Sequence, residues 1–538
     1  MPEMAAPART YPAWLDDAVF YEVYPQTFCD SNGDGIGDLP GLIGRLDYLS
    51  LLGVNGLWLN PCFASPFQDA GYDITDFYTV APRYGANDDM RRLLAETRRR
   101  GMHVLLDLVP GHTSWDHPWF KASSRHERNE HSDWFIWTDD VWRAVEGLPK
   151  ISGLAERNAA YIANFFAFQP ALNYGFAAPD PRQPWQQPVD APGPQAVRRE
   201  IRDVMRYWLD MGASGFRVDM AFSLVKLDYG HRETRRLWQE FRAWLDEHYP
   251  EAVLVSEWGN PTEALGAGFH MDFLLHFANR GYQSLFRKSS LDPYGWSVFD
   301  RAGHGNFREF LDEYLAHYRA TRGQGLMSLI TGNHDIAARL AEGRDADDLA
   351  CAFLFLLSMP GAPFIYYGDE IGMRTVHGLP SKEGGFERTG ARTPMQWDAS
   401  PNAGFSSAPA DRLYLPVDPR PDRPTVAAQE ADPGSLLNRV RALIALRRAH
   451  PALGAAGDFV PVTVEAGEYP IVYLRGARGE RLLVAINPTG RPAGARLPAG
   501  LLGAAPATIY GQSGAVTQRD GIWWVELPPA GGGVYRIA

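Results

Sequence analysis

Strand-like and helix-like segments alternate along most of this 538-residue chain, and four of the strand-like ones end on charged or imidazole side chains. Apolar runs at residues 19–25, 56–60, 103–108, 216–220, 252–258, 271–275, 328–331 and 364–367 predict eight strands. Amphipathic patterns at 39–52, 88–100, 196–211, 233–248, 306–321 and 346–359 predict helices between them. Eight such units fit an α/β fold, a closed (β/α)8 TIM barrel rather than an open sheet. In a parallel barrel every strand C-terminus opens onto one face, and chemistry collects there.

The alternation breaks twice. Residues 113–194 are Trp-, Pro- and Asn-rich and irregular, and predict a domain inserted after strand 3 that walls the active face. After a loop-like stretch at 372–432 and a helix at 436–450, the pattern becomes short strands separated by Gly/Pro turns. The expected domains are therefore a barrel at 11–112 and 195–454, the insertion, and a C-terminal antiparallel β-sandwich at 455–538. The C-terminal domain is expected to stabilise the barrel.

Composition narrows the partners. A formal charge of −12 argues against nucleic acid or an anionic membrane. Cys29, Cys62 and Cys351 are too few and too far apart for a disulfide framework or zinc site, so a reducing, cytoplasmic setting is expected. The opening MPEMAAPART lacks the pattern of a signal peptide and is expected to be mobile, and the apolar run at 349–359 is too short to span a bilayer.

The four polar strand ends are DLVPGH (107–112), GFRVD (215–219), VSE (255–257) and GNHD (332–335). Brought to one cavity, they could cleave a glycosidic bond, which needs two carboxyl groups across it. Asp219 is the preferred nucleophile, with Arg217 two residues earlier on the same strand face to hold it ionised. Glu257, beside the apolar Trp258, suits a general acid. Asp335 is a third carboxylate to grip hydroxyls, with His112 and His334 as neutral donors. Singly, each reads as structural: a strand-end Asp as a cap, Arg217–Asp219 as an ion pair, His112 as an interior histidine.

Between strand 1 and helix 1 lies DSNGDGIGD (30–38), with the alternating oxygen ligands and glycines of a calcium loop. Asp30, Asn32, Asp34, Asp38 and the Ile36 carbonyl could hold a structural Ca2+. The same residues could instead form an Asx-rich turn that caps the helix at Asp38.

These segments resemble the signature regions of the α-amylase superfamily, glycoside hydrolase family 13. GLWLNP (56–61), YYGDEIGM (366–373) and RTPMQWDASPNAGF (392–405) match as well, and SLLNRVRALIALRRAHPAL (435–453) fits the oligo-1,6-glucosidase, α-glucosidase and trehalose synthase branch. The resemblance covers almost the whole chain. It implies Asp219 as nucleophile, Glu257 as acid/base and Asp335 as transition-state stabiliser. It gives Asp69 the sugar's far-end hydroxyls, Tyr72 a stacking role, Arg392 an ion pair with Asp69, and Phe165 a place in the pocket. A pocket closed in this way takes one terminal glucosyl unit. The resemblance also implies an ion at the 30–38 loop, but no second calcium, because Gly111 and Ala171 offer no side-chain oxygen. Met220, after the nucleophile, fits neither linkage pattern of the branch.

The expected activity is thus a retaining exo-α-glucosidase on short α-glucosides, without organic cofactor, nucleic acid or membrane partner. The alternative is an α-glucosyl transferase or isomerase of the trehalose synthase or sucrose isomerase type. A non-catalytic relative would need lost carboxylates and a membrane anchor.

Overall fold

The computed structural model describes residues 10–153, 155–287, 296–511 and 513–537, so the opening segment expected to be mobile lies, but for Thr10, outside them. Eight short parallel strands form the centre: β1 (Phe20–Val23), β2 (Gly56–Leu59), β3 (His103–Leu108), β4 (Gly215–Val218), β5 (Val253–Ser256), β6 (Met271–Phe273), β7 (Leu326–Ser328) and β8 (Phe364–Tyr366). They pair in chain order, and β8 returns to pair with β1. A bridge from Ile330, just past β7, to Phe364 closes the ring, which is the expected TIM barrel. Most strand residues are buried whichever way they point, because helices cover the outside and side chains fill the inside.

Some boundaries move. Strand 7 was expected at 328–331 but lies at Leu326–Ser328, since its register is set by the three residues of β6 it pairs with. The helix expected at 39–52 is two helices, Leu39–Gly44 and Leu46–Leu52, broken at Arg45.

The inserted segment after β3 packs a small core of its own around Ile136, Ile162, Ala171 and Phe176. The following helix, Pro192–Met211, starts four residues before its expected start, inside the insertion as first drawn. Its early prolines sit in the first turn, where no intrahelical N–H is needed.

The C-terminal region forms a five-stranded and a three-stranded antiparallel sheet. Val472, Leu483, Ala495, Val525 and Leu527 share the core between them. Strand Gly531–Arg536 reads in sequence as a glycine turn, yet it lies inside the larger sheet. A Cβ on Gly532 would meet Leu354 of the barrel helix Ala346–Ser358 at 2.6 Å, so close packing of sheet on helix explains the glycine. All three cysteines are free and buried, and no helix among the described residues is long and apolar enough to cross a membrane.

Candidate active site

Arg217 is the hub of the polar face. It is 1 % exposed, and its guanidinium reaches three carboxyl groups. Nη1 donates to Asp107 at 2.8 Å and to Asp219 at 3.0 Å, and Nη2 lies 2.8 Å from Glu257. Backbone pairing continues past the strands: Asp219 N–H bonds to Leu108 and Glu257 N–H to Val218. Neighbouring strands therefore deliver these carboxyls side by side. Met220 turns into the left-handed region at φ 40°, an uncommon conformation for a non-glycine residue, and its N–H reaches Glu257 Oε2 at 3.0 Å.

The electrostatics differ from the sequence-based expectation. Arg217 was assigned to Asp219 alone, but three carboxyls share it. Burial, with the charge of Glu257 adding, pushes the Asp219 carboxyl well up, and Arg217 only partly opposes this. Asp107 is pushed up to about 6 by burial, against Arg217, Trp58 and Tyr72. Shared in this way, the guanidinium does not offset the burial of Asp107 and Asp219. Trp258 also does not form an apolar seat for Glu257; its ring packs against His231 and Phe269, and Glu257 faces the guanidinium instead.

Asp335 lies across the site between two arginines, Arg388 and Arg392. Burial pushes its carboxyl up, but His334, Arg388 and Arg392 prevail and hold it below the usual carboxylate range. His334 stacks on Tyr72, with Nε2 at 2.7 Å from the Tyr72 hydroxyl and 3.3 Å from Asp335. Burial keeps this imidazole neutral, as expected.

The pocket's far end is built differently from the family pattern. Arg392 does not ion-pair with Asp69. Its Nε donates to the His334 carbonyl at 2.7 Å and its Nη2 reaches Asp335 at 3.4 Å. Asp69 instead accepts from Gln169 of the insertion at 2.8 Å, and burial lifts its carboxyl to about 6. His112 is neutral, pushed down to about 3 by burial, with Nε2 on the Tyr72 carbonyl and Nδ1 facing the Asn164 amide, each at 3.2 Å. A Cβ on Gly111 would meet that amide at 2.7 Å, so glycine there lets Asn164 in. Lys226 Nζ holds Asn164 Oδ1 at 2.7 Å and so ties the insertion to the barrel. Phe165 is 55 % exposed and touches Phe166, so it belongs neither to the core nor to the buried cluster.

In the 30–38 loop, Asp30 accepts from the N–H groups of Asn32, Gly33 and Gly35 and from the Ser406 hydroxyl. Asp38 caps the helix through Gly41 and accepts from Ser31. The Asx-turn reading thus describes the loop's internal bonds. The all-oxygen donor set also suits a hard cation. Among the described residues no three His, Cys, Asp or Glu side chains are grouped to hold a metal, so an ion here would lean on the Asn32 amide and Ile36 carbonyl.

Several members of the site escaped sequence reasoning. Glu22 sits mid-strand in an apolar run, where period-two counting marks it as inward-facing. Gln169 and Asn164 lie in the irregular insertion, and Arg388 in a glycine-rich loop, where no periodicity exists to place them.

Comparison with known proteins agrees with this geometry. The family model described as "Alpha amylase, catalytic domain" matches residues 22–456. The chain is 34% identical over 520 residues to a trehalose synthase/amylase, TreS, of Mycobacterium tuberculosis, covering 88% of this chain and 82% of that protein. It is 30% identical over 559 residues to the oligo-1,6-glucosidase of Parageobacillus thermoglucosidasius, covering 90% and 92%. The crystal structure of the trehalulose synthase MutB from Pseudomonas mesoacidophila superposes with a TM-score of 0.79 at 28% identity, covering 98% of this chain and 99% of that one. With the catalytic-domain match spanning the barrel and its four polar strand ends, the chain belongs to the α-amylase family of glycoside-acting enzymes.

Proposed function

We propose that this protein is a retaining exo-α-glucosidase that removes a non-reducing terminal glucosyl unit from short α-glucosides. The observation that carries the reading is the pair Asp219 and Glu257 on one guanidinium, at the ends of adjacent strands. A retaining mechanism needs two carboxyl groups about 5–5.5 Å apart. An Asp219 oxygen bonds to the anomeric carbon as the glycosidic C–O bond breaks, and Glu257 gives its proton to the leaving oxygen. Glu257 then takes a proton from water, whose oxygen displaces Asp219 from the same carbon. The first step requires Asp219 as the carboxylate and the transferable proton on Glu257. Asp335 and His334 grip ring hydroxyls, Tyr72 and His112 line the reacting subsite, and Asp69 with Arg392 bounds its far end.

A second reading has specific support. Trehalose synthases are among the relatives, and a trehalulose synthase is among the structural neighbours. A sugar hydroxyl in place of water at the second step would give an isomerised or transferred product from the same residues. Incubation with maltose, isomaltose, trehalose and sucrose, with and without a sugar acceptor, separates the two. Free glucose as the main product is expected for the hydrolase, and a new disaccharide for the isomerase. Both require the α-configuration in the first-formed sugar. NMR detection of the β-anomer first would remove the double-displacement mechanism.

A structural Ca2+ at Asp30, Asn32, Asp34, Asp38 and the Ile36 carbonyl is part of the proposal, supported by the oxygen-rich donor set. A ligand at about a hundred times its Kd stabilises the state it binds by about 2.7 kcal/mol. Restoring calcium after EDTA treatment is expected to raise Tm by about 2 °C; an unchanged Tm removes the ion.

A further inference from the structure

Glu22 has no role in the chemistry above, yet it is fully buried against a proposed substrate-binding residue. It projects from β1 towards His334, 312 positions away in the chain. Its Oε1 lies 2.8 Å from His334 Nδ1 and 3.3 Å from the His334 backbone N. The Asn60 amide nitrogen lies 3.0 Å from the same Nδ1. An amide NH2 only donates, so Nδ1 is an acceptor.

The other ring nitrogen faces acceptors. Nε2 is 3.3 Å from Asp335, a carboxylate held ionised by two arginines, and 2.7 Å from the Tyr72 oxygen, whose own proton goes to Asp107 at 3.0 Å. A lone pair at Nε2 would confront these oxygens without a hydrogen between them. We infer that Glu22 is a positioning residue that donates a hydrogen bond to Nδ1 and thereby keeps the ring hydrogen of His334 on Nε2, aimed at the sugar site.

This requires the neutral carboxyl at Glu22. Its Oε2 has no hydrogen-bond partner, an arrangement far less costly for a neutral group than for a buried anion. Burial pushes the Glu22 carboxyl well up, against the His334 N–H, Asn60 and Arg217, with Asp335 adding to the rise. Charged and titratable groups around the pair are Arg217, Asp335, Arg392 on the His334 carbonyl, Arg388 on Asp335, and Tyr72 and Tyr366. None of these donates to Nδ1, whose other donor is the Asn60 amide.

The inference rests on the glycosidase reading only for its consequence: Nε2–H can donate to a sugar hydroxyl, and a bare Nε2 cannot. The test uses full-length protein labelled with ring-15N histidine. Long-range 1H–15N correlation reads the His334 tautomer, assigned by the signal lost in His334→Gln. The Nε2–H form is expected in the native protein and in Glu22→Gln, whose amide can donate to Nδ1 in the same way. Glu22→Leu leaves the Asn60 amide as the donor to Nδ1 and is expected to give a mixture of the two tautomers, with kcat/KM at least 10-fold lower, and Glu22→Gln to keep it within about 3-fold of native. An Nδ1–H form in the native protein overturns the inference, even if the leucine variant fails to fold. So does a leucine variant with the native tautomer and native kcat/KM. The spectrum needs no substrate, so it stands or falls apart from the enzymatic reading, which the Asp219 variant tests.

Discussion

Alanine at position 219 is expected to lower kcat/KM on an aryl α-glucoside by 10⁴-fold or more, while leaving Tm unchanged or slightly higher. Removal of a covalent nucleophile in other enzymes costs on the order of 10⁴–10⁶ in rate. The stability half of the expectation follows from the site itself. Asp219 is buried, and Glu257 pushes its carboxyl up, so the folded protein bears a like-charge repulsion that alanine relieves. Arg217 keeps Asp107 and Glu257 as partners. A purely structural Arg217–Asp219 ion pair predicts the reverse, a clear fall in Tm with little loss of rate. Kinetics and calorimetry on one variant therefore decide between the two, and native activity would end the assignment of Asp219 as nucleophile. Azide offers a further check, because a small anion fits the space alanine leaves and would give a β-glucosyl azide.

Arg217→Met is expected to be the most destabilising single change in the barrel. It strands Asp107, Asp219 and Glu257 without their shared cation. Removing one partner of a buried ion pair costs about 3–5 kcal/mol, because the remaining charge is left uncompensated. For a 538-residue chain a drop in Tm of roughly 3–4 °C at pH 7 follows. The pH dependence has a definite sign. Asp107 and Asp219 already titrate above their unfolded values, and losing Arg217 raises them further. An acid whose folded pKa is raised favours folding in its protonated form, so its contribution is present at low pH and lost as pH climbs through the folded value. The deficit of the variant should be small near pH 4 and grow through pH 6 and above. A Tm deficit independent of pH would mean that Arg217 matters for packing rather than charge. Lysine at this position keeps the charge but not the span of two nitrogen-bearing arms, so an intermediate loss is expected.

Legibility in the sequence followed the range of the interaction. The barrel strands and the flanking helices are local patterns, and most boundaries fell within a few residues. Strand 7 slipped because its ends depend on β6, which local apolarity does not report. The strand at Gly531–Arg536 was hidden because three glycines read as a turn until Leu354 is seen against them. Arg392 was aimed at Asp69 by family pattern, but the carbonyl of His334 holds it beside Asp335 while Gln169 takes Asp69.

What the chain alone determined is which chemistry is possible: carboxyl, imidazole and guanidinium groups at strand ends that a parallel barrel must present on one face. The folded molecule decided how protons and charges are shared among them. Arg217 meets Asp107 across 110 residues and Glu22 meets His334 across 312, and such distances carry no local signal. Burial then sets which groups stay ionised, since desolvation depends on every neighbour at once and on no single stretch of sequence.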